Sequence, residues 1–502
     1  MKLRPDSPPE GTLRDWIDAR AERGGDGFVF PEGEPDLDWS ELRDTSRRIA
    51  MTLTERGVAH GDSIAIMMPN GRAALECLFG VLYGGFRATM INLAAGSDAI
   101  SYALEHCEAR FAFVGTAQAE MFRGAAKDLT IVALKPDLAP VGSVDLYEVL
   151  PESHALLMYT SGTTGRPKGV IHTQTSLLAG GWTTAVAHQL SPADRGFCVL
   201  PICHINGLCV TVMGALVSGG TLAMVPRFST SRFWAQVAEA RASWISVVPT
   251  IISHLLHSEI DPNAAVRARL RFGRSASSAL APDVQRAFEE RFGLPIIETM
   301  GLTETAAQIL SNPLPPGLRK IGSPGIAFGN EAAILAPDLA KAPHGEEGEL
   351  AVRGPNVMME YLKNPDATAN TFTPDGWLRT GDLGRQDEDG YIFVTGRLKE
   401  LIIKGGENIA PREIDEALYS HPDVVEAAAF ARPCPSYGER VEAAVSLGAG
   451  STVTEEELLA ICRERLGTYK SPDRIHFLPE LPKGPSGKIQ RLRLQEANLG
   501  RI

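Results

Sequence analysis

Residues 154–170 read HALLMYTSGTTGRPKGV: an apolar run passes directly into threonines, a serine and glycines, and the segment exits through Lys168. Small residues let backbone N–H groups approach an anion, hydroxyls add donors, and the lysine brings a mobile positive charge to phosphate oxygens. The spacing is not G-x-x-x-x-G-K-[ST], and neither G-x-G-x-x-G nor G-x-S-x-G occurs in it. A Gly/Ser linker would lack both the preceding strand and the Pro-Lys-Gly exit. Four further segments carry chemistry. ETMGLTE (298–304) ends in the pair Thr303–Glu304, and RTGDL (379–383) sets Asp382 beside a glycine. GRLKELIIKGGENI (396–409) carries Arg397, Lys399 and Lys404-Gly405-Gly406, and PKGPSGKIQR (482–491) carries Lys488. Taken alone, Asp382 reads equally as an Asx-turn residue, Arg397 as a surface arginine and Lys488 as a mobile surface lysine.

These residues must be positioned by regular elements. Asp62–Pro69 reads as a buried strand, Arg72–Tyr83 as a helix after the Asn70-Gly71 turn, and Arg87–Leu93 and Ala109–Val114 as further strands. The rhythm continues through Phe197–Leu200, Thr221–Val225, Trp244–Val248 and Pro295–Thr299. Strands spaced by helices predict α/β architecture with parallel sheet. After about Lys341 the pattern changes to amphipathic strands, Glu349–Val352 and Tyr391–Val394, near turns. In the tail, Pro411 sits at a first helical position, Thr454-x-x-Glu457 has the form of a capping box, and Gly467 is a helix stop. The boundary falls near Gly396–Glu400, and no internal repeat is visible.

Composition narrows the class. With 49 Lys+Arg against 61 Asp+Glu, the net charge of −12 argues against a nucleic-acid partner, since duplex binding relies on cationic phosphate contacts. The 7 cysteines are odd in number and form no C-x-x-C pair, which fits reduced cytoplasmic usage. The N-terminus shows no apolar signal region and no run approaches a membrane span, so a cytoplasmic protein without a membrane partner is expected.

YTSGTTGRPKGV resembles the signature loop of the adenylate-forming superfamily, which includes acyl-CoA synthetases, peptide-synthetase adenylation domains and firefly luciferase. The other family motifs follow in order: LPICHINGL (200–208), ETMGLTE, GWLRTGDL (376–383), GRLKELIIKGGENIAPREID (396–415) and PKGPSGKIQR. The resemblance covers about residues 10–495. It implies a large N-terminal domain, 1–396, of parallel-rich αβα sheets plus a distorted barrel. A small mobile α+β lid, 397–502, would turn about a hinge near Lys399. It also implies ATP, Mg²⁺ and coenzyme A. A carboxylate attacks the α-phosphate of ATP and releases pyrophosphate, and a thiol then displaces AMP. By resemblance, Thr160, Ser161, Gly162, Thr163, Thr164, Gly165 and Lys168 hold the β- and γ-phosphates. Thr303 donates to the α-phosphate, and Glu304, with Thr163, serves the metal. Asp382 accepts from the ribose and Arg397 reaches ribose or phosphate. Ser278, Thr299, Met300 and Gly301 border the adenine, Met300 standing where the family carries an aromatic residue. Lys488 bridges the carboxylate and α-phosphate. Rotation about Lys399 then replaces it with the Lys404, Gly405 and Gly406 loop for coenzyme A.

For the acid, RFGRSASSALAP (271–282) and TETAAQILSNPLPPGLRK (303–320) look similar to the oxalate–CoA ligase branch. That similarity implies a short, very polar acid resembling sulfoacetate, malonate or oxalate. Such an acid needs charged or hydrogen-bonding partners, for which His204, Arg274, Ser278, Gln308 and Asn312 are candidates. Ala307 stands where the branch has histidine, and room for a slightly longer anion is expected there. Two other readings compete. An aromatic or medium-chain acid would be supported by Trp244, Met300 and Ile309, and a stand-alone enzyme could load a carrier protein. The oligomeric state is left open.

Overall fold

The computed structural model describes residues 3–137, 142, 144–160, 167–484 and 487–497. The chain builds two large sheets that share a core, a smaller antiparallel sheet, and a C-terminal sheet with a core of its own. In the nine-stranded sheet, Asp26–Val29, Thr221–Met224, Arg195–Cys198, Trp244–Val247, Phe272–Ser275 and Ile296–Leu302 run parallel, with antiparallel strands at both edges. In the seven-stranded sheet, Val132–Leu134, Phe111–Val114, Ser63–Met67, Arg87–Met90 and His154–Tyr159 run parallel. The expected strands and the Arg72–Tyr83 helix therefore form, with strand ends moved by a few residues. Strands buried on both faces carry unbroken apolar runs, which is why composition locates them.

Between these sheets lies the helix Gln174–Ala187, capped by Thr173 through reciprocal bonds with Ser176. Nearly every residue of it is buried, as an all-round apolar helix requires. Beside it, Asn206–Met213 winds as a π-helix, a geometry often found at functional sites.

Where a distorted barrel is expected, the described residues form a four-stranded antiparallel sheet, Glu331–Leu335, Gly348–Arg353, Leu378–Gln386 and Ile392–Arg397, tied to the neighbouring loop by the Gly325–Ile392 bridge. After Arg397 the chain enters the C-terminal sheet at Ile402–Lys404. There Pro411 opens its helix, and Thr454 and Glu457 form the capping box. At Gly467 the backbone leaves helical geometry (φ 75°), and a short turn continues to Lys470.

Candidate active site

The strands His154–Tyr159 and Gly169–Thr173, which flank the glycine- and threonine-rich segment in sequence, pair antiparallel. The segment's base is closed by the Thr160 N–H donating to the Lys168 carbonyl at 2.9 Å. Ser161, Gly162, Thr163, Thr164 and Gly165 lie outside the described residues. The Thr160 hydroxyl is buried with no partner among the described residues. Lys168 Nζ stands 3.8 Å from the centre of the Tyr361 ring, and the Tyr361 hydroxyl donates to Glu304 Oε1 at 2.7 Å. Burial lowers the Lys168 ammonium from its ordinary value, and the Glu304 charge opposes that shift.

The Thr303–Glu304 turn is held from behind. His172, wholly buried, meets the Thr303 carbonyl through Nε2 at 2.7 Å and the Ser176 hydroxyl through Nδ1 at 3.1 Å. Burial pulls its pKa down to about 4, so the ring is neutral and its Nε2–H donates to the carbonyl. Asn356 braces the same turn by donating to the Thr305 carbonyl at 2.9 Å. Neither His172, Asn356 nor Tyr361 was found by motif. Tyr361 reaches the site through the two-residue strand Glu360–Tyr361, which pairs with Val170 and Ile171 far away in sequence. The polar His172 inside the apolar run GVIHT was the one local signal.

Asp382 and Arg397 are register partners on adjacent strands and form a two-bonded ion pair, at 2.8 and 3.3 Å. Lys488 lies within electrostatic reach of both and 4.0 Å from Glu400. Its pKa is lowered, first by burial and then by the Arg397 charge. Its side chain as a whole nevertheless remains 41% exposed. The preceding Gly487 carbonyl accepts from the Thr250 hydroxyl at 3.2 Å, which seats the Lys488 segment on the helix Pro249–Leu256. Lys399 is exposed between the last strand of the four-stranded sheet and the C-terminal sheet.

The other expected nucleotide contacts divide. Ser278 and Met300 are half-buried, Met300 packing against the cluster that holds Ile309 and Tyr361. The Thr299 hydroxyl donates to the Ser275 carbonyl at 3.2 Å. Gly301 is required: a Cβ there would run into the Ala307 carbonyl.

Near the expected acid pocket, Arg274 is 1% exposed. Its Nη1 donates to Asn206 Oδ1 at 2.7 Å and its Nε to Gln308 Oε1 at 3.4 Å. Burial lowers it to about 9, which leaves it charged near neutrality. His204 Nε2 is enclosed without a partner among the described residues, and burial brings that ring to about 4. Asn312 is engaged by loop backbone: its amide donates to the Ser323 carbonyl at 2.6 Å and accepts from Lys320 N–H at 3.0 Å. Ala307 is buried beside Ala306, with its carbonyl facing Gly301.

At the expected coenzyme A loop, Gly405 (φ 59°) and Gly406 (φ 88°) turn the hairpin Ile402–Lys404 to Glu407–Ile409. Positive φ at both positions is what a type I′ turn demands. The Lys404 ammonium points back into the C-terminal unit, donating to the Tyr469 carbonyl at 3.0 Å. This leaves the glycines, both exposed, to present the turn.

Among the described residues no group of three or more His, Cys, Asp or Glu side chains is arranged to hold a metal, and no helix is long and apolar enough to cross a membrane.

Comparison with known proteins agrees with this arrangement. Residues 17–362 match the AMP-binding enzyme family, and residues 413–488 match the AMP-binding enzyme C-terminal domain. The chain is 44% identical to a sulfoacetate–CoA ligase of Cupriavidus necator, over 98% of this chain and 99% of that one. It is 35% identical to an oxalate–CoA ligase of Arabidopsis thaliana, over 91% and 93%. The ATP-bound structure of MatB from Rhodopseudomonas palustris superposes with a TM-score of 0.87 at 28% identity, covering 97% of this chain and 99% of that one. The o-succinylbenzoate CoA synthetase of Bacillus subtilis, with its acyl-adenylate, gives a TM-score of 0.86 at 28% identity, covering 99% of each chain. With family models matching residues 17–362 and 413–488 and a 44% identical relative spanning nearly the whole chain, the chain belongs to the AMP-binding enzyme family.

Proposed function

We propose that this chain is an AMP-forming acid–CoA ligase whose acid is a short dianion of the sulfoacetate, malonate or oxalate kind. In the first step a carboxylate oxygen attacks the α-phosphorus of ATP, forming the acyl-adenylate and expelling pyrophosphate. In the second, the coenzyme A thiol attacks the acyl carbon, losing its proton and expelling AMP.

The residues fit a magnesium nucleotide. Glu304 is a single carboxylate with Oε2 uncommitted to Tyr361. Mg²⁺ is commonly held by one or two carboxylates together with substrate phosphates, so a single carboxylate facing the nucleotide suffices. The ion, when bound, neutralises charge on the phosphates. Lys168, the unpartnered Thr160 hydroxyl and Thr163 hold the β- and γ-phosphates, and Thr303 donates to the α-phosphate. Asp382 accepts from the ribose hydroxyls, with Arg397 holding its carboxylate in place. Lys488, protonated, bridges the attacking carboxylate and the α-phosphate, stabilising the charge that develops there. We assign residues 397–502 to a lid that rotates about Lys399 and brings Gly405 and Gly406 to the pantetheine arm for the second step.

One observation carries the acid assignment: Arg274 is a buried cation held by two neutral amides, with no carboxylate in its ion-pair shell among the described residues. A distal anionic group on the acid supplies the missing partner. Of the residues behind the aromatic or medium-chain reading, Trp244 stacks on Phe272 in the core and Ile309 is buried in another cluster, while Met300 is half-buried. The test is a panel of acids with ATP and coenzyme A, read as AMP release. Sulfoacetate, malonate or oxalate should exceed hexanoate and benzoate in kcat/KM by about 10⁴-fold, since a site built for a polar group rejects analogues lacking it. Equal turnover of hexanoate or benzoate and every dianion would overturn the assignment.

A further inference from the structure

Buried charges are ordinarily paired, because an isolated ion in the interior loses its hydration. The partly exposed Arg491 and Arg397 are gripped by Asp415 and Asp382. Two buried arginines lack a carboxylate among the described residues and use neutral acceptors: Arg20 closes onto the helix-end carbonyls of Leu216 and Val217, and Arg87 meets the Ser63 hydroxyl and the His154 ring. Arg274 is more buried than either. Its acceptors are the side-chain amides of Asn206 and Gln308, and its third nitrogen, Nη2, bonds to no described residue. Its ionisable neighbour His188 is kept neutral, pulled to about 3 by burial and by the Arg274 charge.

Asn206 is itself locked. It opens the π-helix, and its Nδ2 donates to the Ser277 hydroxyl at 3.0 Å. A guanidinium has donors only, so the amide oxygen must face Arg274 and the amide nitrogen must face Ser277. Ser277 is held at φ 73°, a conformation a non-glycine residue rarely adopts and one that recurs near functional sites. Backbone strain, the π-helix and a complete donor–acceptor chain thus converge on one short side chain. An aspartate of the same shape would make the same bond to Nη1 and would cancel the charge.

We infer that Asn206 is a specificity-determining positioning residue: a neutral acceptor that orients the Arg274 guanidinium without discharging it, reserving the positive charge for the distal anion of the acid. This rests on the dianion reading above. Gln308 plays the same part at Nε, and its own amide is anchored on the Thr183 carbonyl at 3.3 Å.

The test compares sulfoacetate with butyrate, an acid of similar length with a neutral tail, in wild type, Asn206→Asp and Asn206→Ala. The readout is the ratio of their kcat/KM values for AMP release. Asn206→Asp should lower the sulfoacetate-to-butyrate ratio by at least about 100-fold, because the substrate anion then meets a paired arginine and a like charge. Asn206→Ala, which keeps the charge, should lower it far less. Where Asn206→Asp does not fold, Gln308→Glu carries the same test by bringing a carboxylate to the opposite edge, and the ratio should fall likewise. A ratio unchanged from wild type, or equal losses on both acids, would overturn the inference. Wild type showing no preference for sulfoacetate, malonate or oxalate would instead overturn the dianion assignment itself.

Discussion

The Glu304 carboxylate accepts from a phenol and acts electrostatically on the Lys168 ammonium. Tyr361 donates to one oxygen at 2.7 Å, and the same ring lies beneath the Lys168 ammonium. The phenol therefore aims the carboxylate while its face steadies the lysine through a cation–π contact. Glu304→Gln removes the charge that attracts magnesium and keeps the shape. The Mg²⁺ concentration giving half-maximal AMP release should rise, and an unchanged titration would remove Glu304 from the metal site. Tyr361→Phe keeps the ring and loses the hydroxyl. A hydrogen bond to a charged group contributes about 1.5–3 kcal/mol, so kcat/KM for ATP should fall by roughly 10-fold or more. Measurement of ATP-dependent pyrophosphate release at fixed acid decides it. A variant equal to wild type would show that the phenol does not aim Glu304.

At the scale of elements, much was legible because the signals are local. Thr454 and Glu457 lie three apart and form their capping box, Pro411 opens its helix, and Gly405-Gly406 turn their hairpin. Lys168, Glu304, Asp382, Arg397 and Lys488, proposed above as the reactive residues, stand in contiguous motifs and could be named for the same reason. What escaped depends on pairing across the chain. No periodicity reveals that Tyr361 joins the strand after the phosphate loop, or that Arg274 is met by amides from a π-helix and an antiparallel strand. Asn312, whose composition suits a polar acid, is instead used up on loop backbone. The helix Gln174–Ala187 exposes the same limit. Gly180 reads as an unfavourable residue inside a helix, yet a Cβ there would run into the Ala306 carbonyl. That close approach sets the turn from Thr303 to Ala307. Gly180→Ala should therefore destabilise by about 1–3 kcal/mol despite its better helix propensity, and should lower adenylation as well. A melting curve with a pyrophosphate-release assay measures both. A variant more stable than wild type would mean the turn yields at no cost.

For the whole molecule, the question is what holds Lys488 over the nucleotide residues. The helix Pro249–Leu256 and the residue after it present a polar seam to the C-terminal unit: Ser253 donates to the Val425 carbonyl at 2.5 Å, and His257 Nε2 meets the Pro422 carbonyl at 2.9 Å. At its centre Glu426, 1% exposed, faces His254 at 3.3 Å across the seam. It also binds Lys483 and accepts from the Leu481 N–H at 3.0 Å, so it fixes the chain that leads into Lys488. Lys488→Ala should abolish adenylate formation and leave thiolation of a supplied acyl-adenylate largely intact. Equal loss of both half-reactions would count against a rotating lid. Glu426→Gln should act in the same sense but partially, slowing adenylation more than thiolation. It also has a pH signature. The His254 and Lys483 contacts and the Leu481 N–H outweigh burial and bring the Glu426 carboxyl from 4.5 down to about 2. A depressed carboxylate stabilises the fold above its unfolded pKa and loses that contribution as pH falls toward the folded one. Wild type should thus exceed Glu426→Gln by about 3 kcal/mol from pH 7 to pH 5. The gap should narrow progressively below about pH 4.5, where the unfolded carboxyl begins to bind its proton. Denaturant melts of the two proteins across that range measure it. A gap that stays constant to pH 3.5 would mean that shape, not the charge of Glu426, holds the seam.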